Sequence, residues 1–261
     1  MKLEVIQRDP RKQRFKTPLL FVHGTGHGAW CWDEFFLSYF AEAGFIAAAV
    51  SLRGHGGSEG RGKLKWTSIS DYLEDVRSVA DKLGTEPVIV GHSLGGLVAM
   101  KYLERYNAPA AVLVAPSPTE GMFRSGLKIQ IRNPLLMTKV MLKQDYAVMF
   151  STPRLAKKFL FSAEVEETRV AGYSARFGSE SYLAALEMIF NLPRPKAISA
   201  PILVVGAEND ALIAAKKIKR TAQALNADCR IFSGMAHDMM LEEGWKEVAD
   251  HMIDWLKGKI S

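Results

Sequence analysis

The sequence predicts an α/β fold, in which a mostly parallel central sheet is covered by helices on both faces. Short apolar runs, each about the length of one strand, recur along the chain, and most are followed by an amphipathic segment of helical length. A strand that is apolar at nearly every position is typical of a parallel sheet buried between two helical layers. With 261 residues and 48% hydrophobic content, the chain is long enough to bury one such core.

The elements are predicted from apolar spacing and from the residues that begin or end them. Residues 3–8 are expected to form an antiparallel strand at the edge of the sheet, with residues 12–16 as its candidate partner. Two helices are predicted, one over residues 70–83 with Ser70 as its cap, and one over residues 245–256. The remaining strands are predicted at residues 18–23, 46–52, 87–91, 110–115, 201–206 and 229–233.

The most informative motif is Gly-His-Ser-Leu-Gly at residues 91–95. It follows the apolar run 88–90 and leads into the helix-like stretch 96–103. Flanking side chains would collide across so sharp a turn, and glycine tolerates unusual backbone angles, so the two glycines fit a nucleophile elbow. Ser93 is therefore predicted to be a nucleophile. The alternative is a glycine-rich loop whose serine caps the following helix.

A nucleophilic serine needs a base, because its hydroxyl is almost never ionised at neutral pH, and the base needs an acid that orients it. Asp210 comes just after the strand-like run 201–205, and His237 comes after the run 229–232. These positions predict that Asp210 and His237 complete a catalytic triad with Ser93.

Three nearby residues are alternatives for these roles. Glu208 lies in the same loop as the predicted acid, and Asp238 directly follows the predicted base. His92 precedes the serine, but a neighbour in so tight a turn should point away from the serine side chain.

The chain order serine, aspartate, histidine, each on a loop after a strand, resembles that of the α/β-hydrolase family. Two other segments are similar to the family. Residues 21–26, Phe-Val-His-Gly-Thr-Gly, look like the oxyanion loop after its third strand, and residues 53–58 resemble the glycine-rich turn after its fourth. The resemblance implies an α/β-hydrolase core formed by residues 1–116 and 198–261. It also implies a helical cap, residues 117–197, inserted after the sixth strand and lying over the nucleophile.

The resemblance also implies two donors for an oxyanion hole. Attack on a carbonyl carbon builds negative charge on its oxygen, which two backbone N–H groups can stabilise. One donor is expected at Leu94, directly after the nucleophile, and the other at Thr25.

The activity implied is that of a serine hydrolase acting through an acyl-enzyme on carboxylic esters with small to medium, largely apolar acyl groups. The Met and Phe content of the cap segment suits an acyl chain. Other readings remain open: a thioesterase or a carbon–carbon bond hydrolase with the same triad, or a ligand-binding protein of receptor type with weak hydrolysis.

Residues 27–30, His-Gly-Ala-Trp, resemble a segment of plant methylesterases and of related hydroxynitrile lyases. Lyases of that group carry threonine after the loop histidine and lysine after the catalytic histidine. This chain has Gly24 and Asp238 there, which disfavours lyase activity.

Composition narrows the partners. The net charge is +6, but the basic residues are scattered and no recognition motif accompanies them, so no nucleic-acid binding is expected. Cys31 and Cys229 are far apart and show no disulfide or metal pattern, and no cluster has ligand spacing, so neither metal nor cofactor is expected.

The chain shows no apolar run that approaches a membrane span and no signal-peptide pattern. A cytoplasmic protein without stable membrane insertion is therefore expected, with a small-molecule ester as its partner. The sequence leaves the oligomeric state open.

Overall fold

A seven-stranded sheet forms the centre of the protein. The computed structural model describes residues 1–260, and its strands lie in the order β1-β3-β2-β4-β5-β6-β7. Strand β1 is antiparallel to β3, and every other neighbouring pair is parallel, which confirms the predicted sheet and its antiparallel edge strand. The strands are β1 Val5–Arg8, β2 Leu19–Val22, β3 Ala47–Val50, β4 Val88–His92, β5 Ala111–Val114, β6 Ile202–Ala207 and β7 Asp228–Phe232.

The strand predicted at residues 12–16 is wrong. This segment is largely charged, and its one large apolar residue, Phe15, stacks on Phe45 with 4.1 Å between ring centroids. The N–H groups of Arg14 and Phe15 donate to the carbonyl oxygen of Gly44 rather than to a strand. The partner of β1 is β3, so residues 12–16 add no strand and the sheet has seven strands.

Helices cover both faces of the sheet. Successive residues of a strand point to opposite faces, so each strand contributes to two apolar clusters. Phe21 and Val90 belong to one apolar cluster, whereas Val22 and Ile89 belong to the other. The first cluster packs against α1 Trp30–Asp33, α2 Phe36–Glu42 and α11 Trp245–Lys257, and the second against α3 Ile69–Ala80, α4 Leu94–Leu103 and α10 Ala215–Ala224.

Helix α3 begins two residues earlier than predicted. The Ser68 hydroxyl accepts a hydrogen bond from the Asp71 N–H at 3.1 Å, and the Asp71 carboxylate accepts one from the Ser68 N–H at 2.8 Å. This reciprocal capping box satisfies two N–H groups that the helix leaves free. Ser68 is therefore the cap, and the predicted cap Ser70 lies within the helix.

Five helices lie between β5 and β6, in the segment predicted to form the cap. Some of their side chains line one pocket together with the loops that follow the parallel strands. No helix among residues 1–260 combines the length and the apolar character needed to cross a membrane. The five are α5 Phe123–Arg132, α6 Pro134–Lys143, α7 Pro153–Leu160, α8 Glu167–Ser174 and α9 Tyr182–Phe190.

Candidate active site

Ser93 lies at the sharp turn between β4 and α4. Its φ of 52° and ψ of −114° are unusual for a residue with a side chain. The turn is fixed by its backbone: the Ser93 N–H donates to Val114, and its carbonyl oxygen accepts from the N–H groups of Gly96 and Ser117, each at 3.0 Å. The Ser93 hydroxyl makes no capping hydrogen bond to α4, which argues against the capping alternative and leaves the hydroxyl free for another partner.

The two glycines of this turn are required by close backbone contacts. A Cβ atom on Gly95 would lie 2.4 Å from the carbonyl oxygens of both Val22 and His23. A Cβ atom on Gly91 would lie 2.3 Å from the carbonyl oxygen of Gly95. None of these neighbours is a flexible side chain, so the strand and the turn would have to move apart to accept alanine.

We expect Gly95→Ala to lower the free energy of unfolding by about 3 kcal/mol or more, because it forces rigid backbone apart. Gly172→Ala in α8 is the matched control, since a Cβ atom there meets nothing within 4 Å. That change should instead stabilise the helix by up to about 1 kcal/mol. Urea unfolding followed by circular dichroism measures both, and an unchanged midpoint for Gly95→Ala would contradict the steric argument.

His237 connects the serine to a buried carboxylate. Its Nε2 lies 3.0 Å from Ser93 Oγ, and its Nδ1 lies 2.7 Å from Asp210 Oδ2. The other oxygen of Asp210 accepts from the N–H groups of Leu212 and Ile213, both at 2.8 Å, which fixes the carboxylate. Because the carboxylate accepts the Nδ1 proton, Nε2 is left with a lone pair that can accept the serine proton.

The alternative residues have other partners. Glu208 is exposed and its carboxylate accepts only a long contact, 3.4 Å, from the Gly234 N–H. His92 directs Nε2 to the carbonyl oxygen of His237, at 3.1 Å. Asp238 is buried and bonded to His27. The structure thus brings together the three residues predicted from the sequence and keeps these three alternatives apart from the serine hydroxyl.

Electrostatics differ sharply between the neighbouring histidines. Burial lowers the pKa of His237, but the charge and hydrogen bond of Asp210, with the charge of Asp238, raise it above its ordinary value of 6.5. Burial, and then the charge of His237, lower the pKa of His92 to about 3. His92 is therefore neutral at neutral pH, whereas His237 binds a proton more readily than an ordinary histidine.

The rate of ester hydrolysis is therefore expected to fall as the pH drops below the raised pKa of His237. The base works only when it is neutral, so the acidic limb of kcat/KM is expected to have its midpoint above pH 6.5. In Asp210→Asn the residual activity should show a midpoint at lower pH, because the charge that raises the pKa is gone. Rate profiles of both proteins test this, and an identical midpoint in both would contradict it.

A metal ion does not fit the histidine cluster. His92, His237 and Asp238 place ligand atoms within 4.8 Å of one another. However, both ring nitrogens of His237 are already engaged, by Ser93 and Asp210. Too few free donors remain for a typical metal site.

Two backbone N–H groups, those of Leu94 and Thr25, are the predicted donors to an oxyanion. Leu94 is the first residue of α4, where an N–H has no acceptor within the helix. Thr25 lies on the loop after β2 and lines the same pocket as Ser93 and His237. Within residues 1–260 neither N–H donates to another group. Both are thus free to donate a hydrogen bond, and their role as oxyanion donors stays a prediction.

The loop around Thr25 is held by residues that the sequence did not reveal. Glu180, just before α9, is buried and accepts a hydrogen bond from the Gly26 N–H at 3.1 Å. The same carboxylate accepts from the Tyr72 hydroxyl at 2.6 Å and from the Ser181 N–H at 2.7 Å. No local motif marks Glu180, because its partners come from distant parts of the chain.

The second support of this loop is a buried pair. His27 Nδ1 donates to the carbonyl oxygen of Thr25 at 2.8 Å, and Nε2 contacts Asp238 at 2.9 Å. Burial raises the pKa of Asp238, but the charge and hydrogen bond of His27 lower it below its ordinary value, so Asp238 is a carboxylate. The His-Gly-Ala-Trp segment was the only sequence signal for His27.

The pocket above the serine is almost entirely apolar. Thr25, Ser93 and His237 line it on the side of the sheet, and the remaining wall comes mainly from the helical segment between β5 and β6. Such a lining suits an apolar acyl group rather than a charged one. Wall residues include Met122, Ile129, Met137, Met149, Phe150 and Leu160.

The chain is similar to known esterases and lipases. A monoacylglycerol lipase of Mycolicibacterium smegmatis is 22% identical over 83% of this chain and 80% of the relative. Methyl jasmonate esterase 1 of Vitis vinifera is 34% identical, over only 36% of each chain. An esterase structure from Exiguobacterium antarcticum has a TM-score of 0.76 at 16% identity, covering 98% of this chain and 95% of that one. The profile of the alpha/beta hydrolase family matches residues 19–251, and the chain therefore belongs to that family.

Proposed function

We propose that the protein is a serine hydrolase that cleaves carboxylic esters with small to medium, largely apolar acyl groups. The observation that carries the proposal is the 3.0 Å contact between Ser93 Oγ and His237 Nε2 at the base of an apolar pocket. The names of two relatives, a monoacylglycerol lipase and a methyl jasmonate esterase, support ester bonds as the target.

The reaction begins when Ser93 Oγ attacks the carbonyl carbon of the ester and His237 Nε2 takes the serine proton. Asp210 stabilises the imidazolium that forms and keeps its Nδ1 proton in place. His237 then gives the proton to the leaving alkoxide, which departs as an alcohol and leaves an acyl group on Ser93. A water molecule, activated by His237, attacks this acyl-enzyme and releases the carboxylic acid.

Negative charge on the carbonyl oxygen is stabilised by the N–H groups of Thr25 and Leu94. Each fixed donor of this kind contributes about 2.7–4 kcal/mol to lowering the barrier. The Thr25 loop is held from outside by Glu180 and His27, so the donor needs little rearrangement when charge develops.

The test uses p-nitrophenyl esters from acetate to laurate, together with a thioester and a diketone of similar size. We expect the highest kcat/KM for an ester with an acyl chain of medium length. A fluorophosphonate should label Ser93 once per chain, as shown by peptide mass mapping. Absence of both turnover and label would overturn the proposal.

The same panel separates the alternatives. Preference for the thioester would indicate a thioesterase, and cleavage of the diketone with little ester turnover would indicate a carbon–carbon bond hydrolase. Tight binding of a small ligand with negligible turnover of every substrate would favour a receptor-like role.

A further inference from the structure

The outer surface of the cap carries a row of large apolar side chains. Phe123, Leu127 and Ile131 recur every four residues on α5, so they lie in one line along the helix. They are 61%, 49% and 71% exposed. Single exposed apolar residues are ordinary, but an aligned row indicates a contact surface.

Neighbouring helices extend this row. On α6, Leu135 and Leu142 are 81% and 80% exposed, and Phe190 at the end of α9 is 77% exposed. Helix α6 packs against α5, and the start of α5 is joined to α9 by a hydrogen bond between the Met122 N–H and the Met188 carbonyl oxygen. The outer cap face is defined here as Phe123, Leu127, Ile131, Leu135, Leu142 and Phe190.

A second row on α5 is basic. Arg124, Lys128 and Arg132 each follow one member of the apolar row, so they lie about 100° around the helix from it. Within residues 1–260 none of the three forms an ion pair. Together with Lys217 they line a groove beside α5 that has no acidic residue in its walls.

The charge of this part of the cap has a single sign. Residues 121–144 contain no aspartate or glutamate, and the basic residues of α6, Lys139 and Lys143, add to those of α5. The third side of α5 faces inward, where Gly126 and Ile129 line the pocket above Ser93. The apolar and basic rows therefore lie on the outside of the helix that walls the proposed active site.

We propose that the outer cap face docks on an anionic lipid surface. The apolar row would enter the boundary between headgroups and acyl chains, while the basic row would meet anionic headgroups. This is peripheral binding along the plane of the surface and differs from insertion across it. A second copy of the chain fits less well, because pairing two such faces would bring two unneutralised basic rows together.

Vesicle flotation tests the proposal with the full chain carrying Ser93→Ala, so that binding is measured without turnover. We expect stronger binding to vesicles of phosphatidylcholine with phosphatidylglycerol than to phosphatidylcholine alone, and weaker binding at high salt. Lys128→Gln with Arg132→Gln should lower the partition coefficient about 25-fold, at roughly fivefold for each basic residue. Leu127→Ser with Ile131→Ser should lower it by about tenfold or more.

The matched control is Arg11→Gln with Lys12→Gln, which removes the same charge on an exposed loop following the antiparallel edge strand. This pair should change the partition coefficient far less than the α5 pair. When Ser93 is left intact, the α5 variants should turn over a short, water-soluble ester at the rate of the unmodified protein. The reason is that none of the four substituted side chains, Leu127, Lys128, Ile131 and Arg132, lines the pocket. Failure of ester hydrolysis would overturn the proposed function but leave this result unaffected.

Two outcomes would overturn the docking proposal. One is absence of binding to anionic vesicles, or binding that the α5 and control pairs weaken equally. The other is a concentration-dependent dimer in sedimentation equilibrium that Leu127→Ser with Ile131→Ser abolishes, without vesicle binding. That second result would assign the outer cap face to a second copy of the chain.

Discussion

Ser93→Ala is expected to lower kcat for ester hydrolysis on the order of 10⁶-fold, because no other group can form the acyl-enzyme. His237→Ala should have an effect of similar size, whereas Asp210→Asn should lower kcat on the order of 10⁴-fold. The three residues act as a unit, joined by contacts of 3.0 Å and 2.7 Å. Combining Ser93→Ala with His237→Ala should therefore be little worse than either change alone.

Steady-state kinetics with a p-nitrophenyl ester, supported by thermal unfolding of each variant, provide the measurement. Glu208→Gln is the matched control for Asp210→Asn, since both are acids in the same loop and only one contacts His237. Glu208→Gln should leave kcat nearly unchanged. Multiplicative loss in the double variant, or equal loss in the two acid variants, would show that the residues do not form one catalytic unit.

Glu180→Ala is expected to lower both stability and kcat, although the Glu180 carboxylate is not placed to touch the substrate. Three donors form hydrogen bonds with this buried carboxylate, the N–H groups of Gly26 and Ser181 and the Tyr72 hydroxyl, and His55 Nε2 lies 3.4 Å from it. Burial raises its pKa, but the charge and hydrogen bond of His55, then the bonds from Tyr72 and Ser181, lower it below its ordinary value. An ionised acceptor is therefore removed, and its donors are left buried without it.

Two consequences are expected for Glu180→Ala. The free energy of unfolding should fall by about 3 kcal/mol or more, because three buried donors lose their acceptor. Because the Gly26 N–H loses its acceptor, the Thr25 donor should be misplaced, and kcat should fall on the order of 100-fold. KM should change much less, since the apolar cap wall that would bind the acyl group is untouched.

Glu187 provides the matched control for this effect. It also belongs to the cap and also ties it to the core, through a 2.6 Å hydrogen bond from the Ile69 N–H, but it does not contact the Thr25 loop. Glu187→Ala should lower the free energy of unfolding but cause little loss of kcat. Glu180→Gln should recover part of kcat, since its amide oxygen can still accept from Gly26. Equal kcat losses for the two alanine variants would remove the positioning role.

The three residues proposed as the triad could be predicted because local sequence patterns and the order of the strands place them together. Each follows an apolar run, and loops after parallel strands meet at one edge of the sheet, so Ser93, Asp210 and His237 were expected to converge. The donors Thr25 and Leu94 came only from family resemblance. Their roles, the cap boundaries and the cytoplasmic location remain predictions.

What could not be predicted depends on contacts across long distances in the chain. Glu180 and Gly26 are separated by 154 residues, and no periodicity relates them. His27 and Asp238 are even further apart, at 211 residues, although each was noted in the sequence for a similarity to, or a difference from, a related group of enzymes. The false strand at residues 12–16 shows the opposite error, because a weak local pattern was overridden by the stacking of Phe15 on the core.

The hydrogen bond between Glu180 and Gly26 limits how this protein can be rebuilt. A chimaera in which a homologue's segment replaces the helices between β5 and β6 would lose Glu180. The Gly26 N–H would then have no acceptor, unless the transplanted segment supplied an acid at the same place. A transplant intended to change the specificity must therefore include an acid that accepts the Gly26 N–H. Side-chain hydrogen bonds, and not the chain connections alone, thus join the segment between β5 and β6 to the rest of the protein.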